Sequence, residues 1–517
     1  MKKVKFIAFL VLALSLVIGV AASSAQAPDG SGWWTGFTIQ NVSGTEITAD
    51  TTAYHLTGGS ASTYSNSATV PDGFSVTFHP GLAGNCPTPA TNGCRIGLSP
   101  NLPPGFEGSV VVSSNDQAVA VANLNNNASG SVGDPSGTAR AAYQGTAGSI
   151  ASSSLFFPTV KNNFVGQTTA FFVQAAGSDA SVTITYEMND GNSYSDSQTI
   201  EANKTYVFVP GAAGVPSCNG GNGGGGNVAP CFGGAVVEST SGSIAGSTVE
   251  YVDGASVAEF VLSTRGLTPS DAGTEVVAPA LKNNFFGGTT GAVILNTGSA
   301  QAVVDLDFTV TNTSGTCSAS IGDTATDQLT VDPGKSQVVS FQANTVGGLP
   351  NCVFYSMVAT SDGEPIAATV NENRVSGPNT FKATYSGFNT ANATGTVFFP
   401  LVKENFFNNT TGLTLVNAGS VTTQIEVTYT GESSTHILET LSLAPGEAVG
   451  ILRAYAGPNP TTNNFTVQSG SSLPVELERY AVQATVMTGG ATIVGIAQES
   501  SLSGIIYDVY NVEGFNQ

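Results

Sequence analysis

A short segment containing Phe-Phe-Pro or Val-Ala-Pro, followed by a lysine, occurs three times in this chain at a constant spacing. Its prolines are Pro158, Pro279 and Pro400, and each step between them is 121 residues. Self-similarity at one fixed period is the signature of a tandem array of similar folding units. Because 121 residues is the size of an ordinary domain, the spacing predicts a row of similar domains.

A second feature, a strand of the form Gly-x-x-x-x-Asn, keeps the same step at Gly291 and Gly412 and has a relative at Ala170. Its first copy begins at Gly36, 134 residues before Ala170, so the first repeat carries about 13 extra residues, which we place in 81–104. We expect a leader over residues 1–27 and domains over 28–152, 153–273, 274–395 and 396–517.

Hydrophobic residues at every second position recur within each repeat. Val303–Phe308 and Ile425–Tyr429 are examples, and Pro-Gly turns such as Asp332-Pro333-Gly334 follow such runs. Alternation of this kind places one face of a strand in a core and the other in water. Seven or eight short strands per repeat, without helical periodicity, predict an all-β fold of four tandem Ig-like antiparallel β-sandwich domains after a signal peptide.

The first residues have the organisation of a secretory signal. Lys2, Lys3 and Lys5 precede an apolar stretch from Phe6 to Ala22, and Ala25-Gln26-Ala27 offers a cleavage site. A retained membrane anchor is the less favoured alternative, because the apolar run is short. No later stretch resembles a spanning helix, so we expect an exported extracellular or cell-surface protein without a transmembrane anchor.

The charge of the chain excludes one class of partner. It has 15 Lys and Arg against 36 Asp and Glu, a formal net charge of −21. Such a polyanion repels phosphates, so we expect no binding to nucleic acid. Since 41% of the residues are hydrophobic, the chain has material for several cores and is not expected to be disordered.

The six cysteines fall two to a repeat in the first three repeats. In an exported chain this distribution predicts three local disulfides. Zinc is the competing interpretation, disfavoured by the spacings and by histidines that lie away from the pairs in the sequence. The expected pairs are Cys86–Cys94, Cys218–Cys231 and Cys317–Cys352.

Three motifs together resemble those of secreted bacterial cell-surface proteins built of tandem Ig-like β-sandwich repeats. They are the segment 156–164, the Thr-Gly-x-x-x-x-Asn strand, and the Tyr-Ser-Gly-Phe sequence at 385–388. The resemblance covers essentially the whole chain after the leader and implies a structural or adhesive protein at the cell surface. It supplies no catalytic residues.

Candidate chemistry is sparse in the sequence. No nucleophile motif with a matched histidine is visible, and we predict no catalytic residues, no cofactor and no enzyme activity. Calcium is a further candidate metal, at an oxygen-rich stretch that a simple hairpin turn also explains. Its candidate ligands are Asn189, Asp190, Asn192 and Asp196.

Trp33 and Trp34 are the only tryptophans and are adjacent. On a strand they face opposite ways, so one can pack while the other contacts a partner or stacks on a sugar. The alternative is that both cover the end of the first sandwich.

These observations favour a non-catalytic structural or adhesive protein, such as a subunit of a surface layer, sheath or filament. A carbohydrate-binding array is the alternative and a secreted hydrolase a minor one. The expected partners are other surface proteins, further copies of the chain, or a polysaccharide. Because the other repeated strands occur four times and the Phe-Phe-Pro segment three times, one terminal domain lacks a strand, and its open sheet edge could pair with another molecule. The favoured alternative is that a different local segment or a bulged polar edge closes the sheet.

Overall fold

The structure is a computed structural model. It describes residues 10–16, 33–80, 86–103, 105–126, 139–252, 261–342, 345–376, 379–406, 409–432, 434–451, 465–475, 477–501 and 510–516. Among these residues the regular structure is almost entirely β. Its strands form seven sheets that are antiparallel apart from one parallel pair, and two single-turn 3-10 segments lie at Pro210–Ala213 and Thr390–Asn392. The predicted all-β sandwich class is confirmed.

The first repeat contains two five-stranded sheets, ordered β10-β1-β7-β3-β4 and β6-β5-β2-β8-β9. Its strands are β1 Leu10–Leu16, β2 Trp33–Asn41, β3 Ile47–His55, β4 Thr63–Val70, β5 Ser75–Phe78, β6 Cys94–Ile96, β7 Gly108–Ser114, β8 Ala118–Asn126, β9 Ala139–Gln144 and β10 Thr146–Ala147.

The second repeat differs from the others because two long strands, β12 and β15, run through both halves of its sandwich. Its single sheet has the order β11-β15-β12-β13, and in addition β14 pairs with β12 and β16 pairs with β15. The register shifts between Ala176 and Val182, at a bulge or irregularity in the pairing of β12 with β15. Its strands are β11 Ser154–Lys161, β12 Gln167–Met188, β13 Ser193–Ile200, β14 Thr205–Phe208, β15 Phe232–Val252 and β16 Val261–Arg265.

The third repeat has sheets ordered β20-β19-β22-β17-β25 and β21-β18-β23-β24. Its strands are β17 Glu275–Asn283, β18 Gly288–Asn296, β19 Ala302–Thr313, β20 Thr324–Val331, β21 Ser336–Val339, β22 Val353–Ser361, β23 Ile366–Ser376, β24 Asn379–Ser386 and β25 Phe388–Asn389.

The fourth repeat has sheets ordered β31-β29-β28-β32-β26-β35 and β30-β27-β33-β34. Its strands are β26 Thr396–Glu404, β27 Asn409–Asn417, β28 Ile425–Thr430, β29 Thr435–Thr440, β30 Ala448–Ile451, β31 Phe465–Val467, β32 Glu478–Val486, β33 Ile493–Ser501, β34 Tyr510–Glu513 and β35 Phe515–Asn516. A large apolar core lies within each of the four repeats.

The repeated motifs have local structural reasons. The repeated proline sits where the register shifts, as between Phe399 and Val402, because proline has no N–H for the ladder. The asparagine that ends the Gly-x-x-x-x-Asn strand is fully buried and bonds two carbonyls across a turn. Asn296 Nδ2, for example, donates to Ala300 O at 2.7 Å and Val331 O at 2.8 Å. These residues are therefore structural.

The four repeats close into a ring. Strand β9 contacts β16, β16 contacts β24, β24 contacts β34, and β34 contacts β9. In the same rotational order, β1 packs on β12 and β15, β11 on β18 and β23, β17 on β27 and β33, and β26 on β2 and β8. Each repeat therefore packs against the next, and the fourth packs against the first.

Strand β1 belongs to the predicted leader, yet it occupies the place that the Phe-Phe-Pro strand holds in the other repeats. Its residues Leu10–Leu16 pair with Ser114–Gly108 of β7, and it also pairs with β10. In the same way β26 pairs with both β32 and β35. The expected open edge on β7 is thus covered in the full chain, by a segment that signal cleavage would remove.

Candidate functional site

Each of the last three repeats pairs a largely buried lysine with a buried glutamate. The lysine follows the repeated proline, and the glutamate lies on a strand of the facing half of the sandwich. The pairs are Lys161–Glu250 at 2.6 Å, Lys282–Glu372 at 2.5 Å and Lys403–Glu499 at 2.8 Å. In the first repeat, where Thr35 pairs with Leu124 as Thr411 pairs with Glu499, leucine replaces the glutamate. The side chain of each lysine therefore reaches across the sandwich to the facing half.

The joints between repeats differ in the residue at one equivalent position of the strands β9, β16 and β24. Arg140, Val261 and Lys382 hold equivalent places on β9, β16 and β24, as their pairing registers show. Val261 joins an apolar cluster with Leu124 and Trp33. Arg140 instead lies 3.9 Å from Glu499 of the fourth repeat. At this position the joint between the first and fourth repeats is therefore polar, whereas the joint between the first and second repeats is apolar.

The extra residues of the first repeat help to build this joint. Asn92 Nδ2 donates to Thr430 O of the fourth repeat, and Gly93 O accepts from Arg479 Nη2. Next to them, β6 pairs in parallel with β5. Apolar contacts of Val121 with Leu401 and of Val119 with Phe398 complete the joint.

A cavity of about 120 Å³ lies at this joint, and we call it the joint cavity. Four cationic side chains line it, together with aromatic rings and amides from both repeats. The lining residues are Trp34, Gly36, Thr77, His79, Arg95, Asn123, Asn125, Arg140, Leu401, Lys403, Phe406, Asn409 and Arg479. Twelve of the chain's 15 Lys and Arg residues follow the predicted leader, and four of those twelve meet here.

Glu499 contacts two of these cations. It is 1% exposed and lies between Lys403, at 2.8 Å, and Arg140, at 3.9 Å. Arg140 Nη1 also donates to Asn409 Oδ1 at 2.9 Å. Burial lowers the pKa of Lys403, and the nearby Arg140 and Arg479 add to the lowering while Glu499 opposes it. Glu499 therefore lies within 4 Å of two largely buried cations.

Arg479 is held in the joint cavity by an aromatic ring and a carboxylate. Its guanidinium carbon lies 4.8 Å from the centre of the Phe406 ring, and its Nη2 is 3.3 Å from Oε1 of the half-exposed Glu432. Burial lowers the pKa of Arg479, and Arg95 adds to the lowering. Its Nε is buried and has no hydrogen-bond partner among the described residues. This N–H of the guanidinium is therefore enclosed by neighbouring atoms.

Trp33 and Trp34 point to opposite sides of β2, because adjacent residues of a strand do so. Trp33 is buried in the apolar cluster shared with the second repeat, whereas Trp34 lines the joint cavity. The Trp34 ring lies 4.9 Å from that of His79, whose pKa burial and Arg95 lower to about 4. Trp34 Nε1 and Asn123 Oδ1 are buried without a partner among the described residues. Of the two tryptophans, Trp34 is therefore the one that lines a cavity.

The calcium candidates lie in and after a hairpin turn. Asp190 accepts from the backbone N of Asn192 at 3.0 Å and from its Nδ2 at 2.7 Å. Asn189 Nδ2 donates to Gly226 O, while Asp196 lies on β13 and accepts from Ser197 N. Among the described residues no group of three or more His, Cys, Asp and Glu is placed to hold a metal ion. The contacts are those of a turn.

The structure forms three disulfides in the pairs expected from the spacing. They are Cys86–Cys94, Cys218–Cys231 and Cys317–Cys352. Cys94 begins β6, so the first of these bonds anchors the strand next to Arg95. Within the described part of the chain, no helix is long and apolar enough to cross a membrane.

Among the other histidines, His436 is buried and holds a hairpin to a neighbouring loop. Its Nε2 is 2.8 Å from Ser434 Oγ, and its Nδ1 is 2.9 Å from Ser472 Oγ. Its ring lies against Tyr480. These contacts are those of a packed, hydrogen-bonded core residue.

Sequence reasoning singled out Trp34 but missed the cations and amides around it. One signal in the sequence was a residue that departs from the repeat pattern. Arg479 pairs with Lys403 where Phe354 pairs with Lys282 in the third repeat. The insertion in the first repeat, which carries Arg95, was a second signal.

No protein family and no curated protein matches the chain. Among solved structures, the crystal structure of Thermotoga maritima 1070 is 18% identical with a TM-score of 0.19, and the match covers 23% of this chain and 95% of that one. The crystal structure of a tetra-tandem repeat in the extending region of a large adhesion protein is 12% identical with a TM-score of 0.10, covering 97% and 98%. Neither likeness is close enough to carry an argument.

Proposed function

We propose that this chain is an exported, non-catalytic protein of the bacterial cell surface with a structural or adhesive role. The observation that supports it most is the closed ring, in which β9, β16, β24 and β34 contact one another in turn. A ring held by joints on every repeat presents a rigid outer surface. Strands such as β13 and β20, rich in Ser and Thr, alternate between exposed and half-buried residues on that surface.

Two further features support a place outside the cell. The three disulfides are of the kind that persists in oxidising compartments. The acidic, lysine-poor composition keeps a surface soluble through its net charge. Self-association and contact with other surface proteins are the partners we propose.

The test is complementation of a deletion strain, with immunogold labelling to locate the protein. Wild type is expected to restore surface label and cell attachment or envelope order. Phe398→Asp places a charge in the joint between the first and fourth repeats, where Phe398 is 8% exposed, and is expected to fail. Leu441→Asp, at a side chain 52% exposed, is the matched control and is expected to restore. Label confined to the cytoplasm, or a deletion strain with intact surface and attachment, would contradict the proposal.

A carbohydrate-binding role is the second candidate, and one observation favours it. Trp34 lines a cavity that also contains the amides of Asn123 and Asn125, and aromatic rings with nearby amides are the usual elements of a sugar site. A glycan array probed with the labelled full chain tests this role, since saturable binding to particular glycans would support it and a blank array would remove it.

A further inference from the structure

Large apolar side chains that are exposed to solvent concentrate at one end of the sandwiches. In each of the last three repeats, this is the end at which the strand with the repeated proline stops. Of the eleven exposed large hydrophobic residues among the described ones, six lie here, two in each of these repeats. They are Val165 and Val228, Phe286 and Ile321, and Val475 and Leu477, and they are between 47% and 70% exposed.

Hydrogen bonds hold the loops that carry these residues together at this end. The loop with Val228 lies against the turn of Val165, the loop with Ile321 lies against the turn of Phe286, and Leu477 lies against the end of β26. The bonds are Val165 N to Gly221 O at 2.8 Å, Phe286 N to Ser314 Oγ at 3.4 Å, and Leu477 N to Glu404 O at 2.6 Å.

Three of the six residues also have an unfavourable backbone conformation. Val165 with Gly166 and Phe286 with Gly287 are the central residues of two-residue hairpin loops, and their φ angles of 45° and 79° and of 46° and 78° are those of a type I′ turn. Asn-Gly is the preferred pair in such a turn, whereas a β-branched or aromatic residue with positive φ is strained. Leu477 has a φ of 67° and is 70% exposed. The chain thus accepts strain at positions where an apolar side chain faces water, which points to a function for these side chains.

Neighbouring repeats stand side by side in the same direction, as the joint between the second and third repeats shows. Near the start of β11, Phe156 packs on a cluster that contains Ala367, at the start of β23. Near the ends of the same strands, Lys161 lies close to Lys382, which pairs with Asn373 of β23. Burial lowers the pKa of Lys382 to about 8, and the nearby Lys161 adds to the lowering. Starts therefore meet starts and ends meet ends.

The joint between the fourth and first repeats has the same register. Phe398, near the start of β26, packs with Val119, near the start of β8. Arg140, which pairs with Asn125 near the end of β8, contacts Glu499 near the end of β33. Because all four joints use equivalent strands and the ring closes, the hairpins of the last three repeats lie on one face of the ring. We call it the hairpin face.

The charge of the hairpin face limits what can cover it. Asp190, Asp323 and Glu432 lie exposed in turns at this end of their repeats. Of the Lys and Arg residues whose exposure the structure describes, only Arg95 is exposed, and it lies on the insertion of the first repeat. A second copy of this chain, whose net charge is −21, would therefore bring acidic groups against acidic groups. An anionic surface is repelled for the same reason.

We propose that the hairpin face binds the surface of a lipid bilayer with zwitterionic headgroups. The apolar side chains stand on separate loops of three repeats, whereas a stable protein interface needs a continuous area of about 800 Å² on each partner. A lipid surface is fluid and accommodates separate protrusions, and binding to it grows with the apolar area that enters the boundary between headgroups and acyl chains. The outermost ammonium groups of the lipids complement Asp190, Asp323 and Glu432. This inference goes beyond the structural or adhesive role and does not rest on it.

The experiment is flotation of the purified full chain with lipid vesicles, with light scattering of the lipid-free chain beside it. Vesicles of phosphatidylcholine are the zwitterionic probe, and vesicles of phosphatidylglycerol are the anionic one. The chain is expected to float with phosphatidylcholine in a saturable way. At low salt it is expected to bind phosphatidylglycerol about threefold or more weakly, because charges of the same sign repel.

The turn chemistry supplies variants that remove the apolar side chains and keep the fold. Val165→Asn and Phe286→Asn each introduce the residue that a type I′ turn prefers. The double variant is expected to bind phosphatidylcholine about tenfold or more weakly, because two apolar side chains no longer leave water. It should unfold at the same or a higher temperature, because the turns are relieved of strain. Leu441→Asn is the matched control, since Leu441 is 52% exposed and follows β29 at the opposite end of its sandwich.

Leu441→Asn should float as the wild type does. Absence of saturable binding to phosphatidylcholine, equal binding of the wild type and the double variant, or tighter binding to the anionic vesicles would overturn the proposal. A double variant that unfolds at a clearly lower temperature would assign the two side chains to packing instead. Lipid-free chains that pair in light scattering, and that the double variant separates, would make a second copy the occupant of the hairpin face. None of these outcomes bears on surface localisation, so the two proposals fail separately.

Discussion

Lys282 Nζ lies 2.5 Å from Glu372 Oε1, in a pair that connects β17 with β23 and so joins the two sheets of the third repeat. Glu372 is only 2% exposed at its side chain and Lys282 14%. A buried ion pair stabilises little over a well-packed apolar pair, but the loss of one partner leaves a buried charge without compensation. The first repeat has an apolar residue, Leu124, at the position of this glutamate.

The first prediction concerns this pair. Glu372→Gln is expected to lower the free energy of unfolding by about 3–5 kcal/mol, because the Lys282 ammonium remains buried and unpaired. The double variant Lys282→Met with Glu372→Leu is expected to be more stable than Glu372→Gln. Urea denaturation followed by circular dichroism measures both. A double variant as unstable as, or less stable than, the single one would contradict this account.

The second prediction is a pH dependence from His79. Its folded pKa of about 4 lies below the ordinary value of 6.5, so the folded chain binds fewer protons than the unfolded chain between these values. Acidification through this window therefore destabilises the fold, by as much as about 3 kcal/mol. His79→Val, which copies Val209 at the equivalent position of the second repeat, should remove this part of the dependence. Thermal unfolding at pH 7 and pH 4.5 compares the two chains, and an identical pH dependence would show that His79 is not responsible.

The third prediction ranks the disulfides. The chain-entropy model makes the stabilisation grow with the closed loop, and the sequence separations are 8, 13 and 35 residues. Replacing both Cys317 and Cys352 by alanine should cost about 4 kcal/mol, against about 2.5 kcal/mol for Cys86 and Cys94. Denaturant midpoints of the two double variants test this. A larger loss at the shorter loop would indicate that the joint next to β6, not chain entropy, dominates.

The fourth prediction concerns strand β1. A chain that begins at Pro28 lacks one of the two partners of β7, and the N–H and C=O groups on that edge of Gly108–Ser114 are then a template for another strand. We expect this shorter chain to self-associate, whereas the chain with residues 1–27 retained stays monomeric. Light scattering measures the difference. A synthetic peptide of Ser154–Lys161 should reduce the association by occupying the edge, and a scrambled peptide is its control. A shorter chain that is strictly monomeric at high concentration would exclude an open edge.

Much of the local structure could be predicted because it depends on neighbours in the chain. The alternation in 303–308 is a strand in which Val304, Leu306 and Phe308 are buried, since period two places them on one face. The cysteine pairs followed from proximity within a repeat. The joint cavity could not be predicted in this way, because Trp34 and Arg479 are 445 positions apart and meet only through closure of the ring.

By itself, the sequence determined the all-β class, the 121-residue period, the turn positions and the cysteine pairs, because these depend on periodicity, on proline and asparagine chemistry, and on short loops. Only the tertiary structure decided that the array closes on itself, that the leader segment covers β7, and that four of the few cations meet at one joint. The physical reason is that each depends on the packing of surfaces far apart in the chain. The orientation of one repeat on the next is set by such contacts as Arg140 with Glu499, which no local pattern encodes.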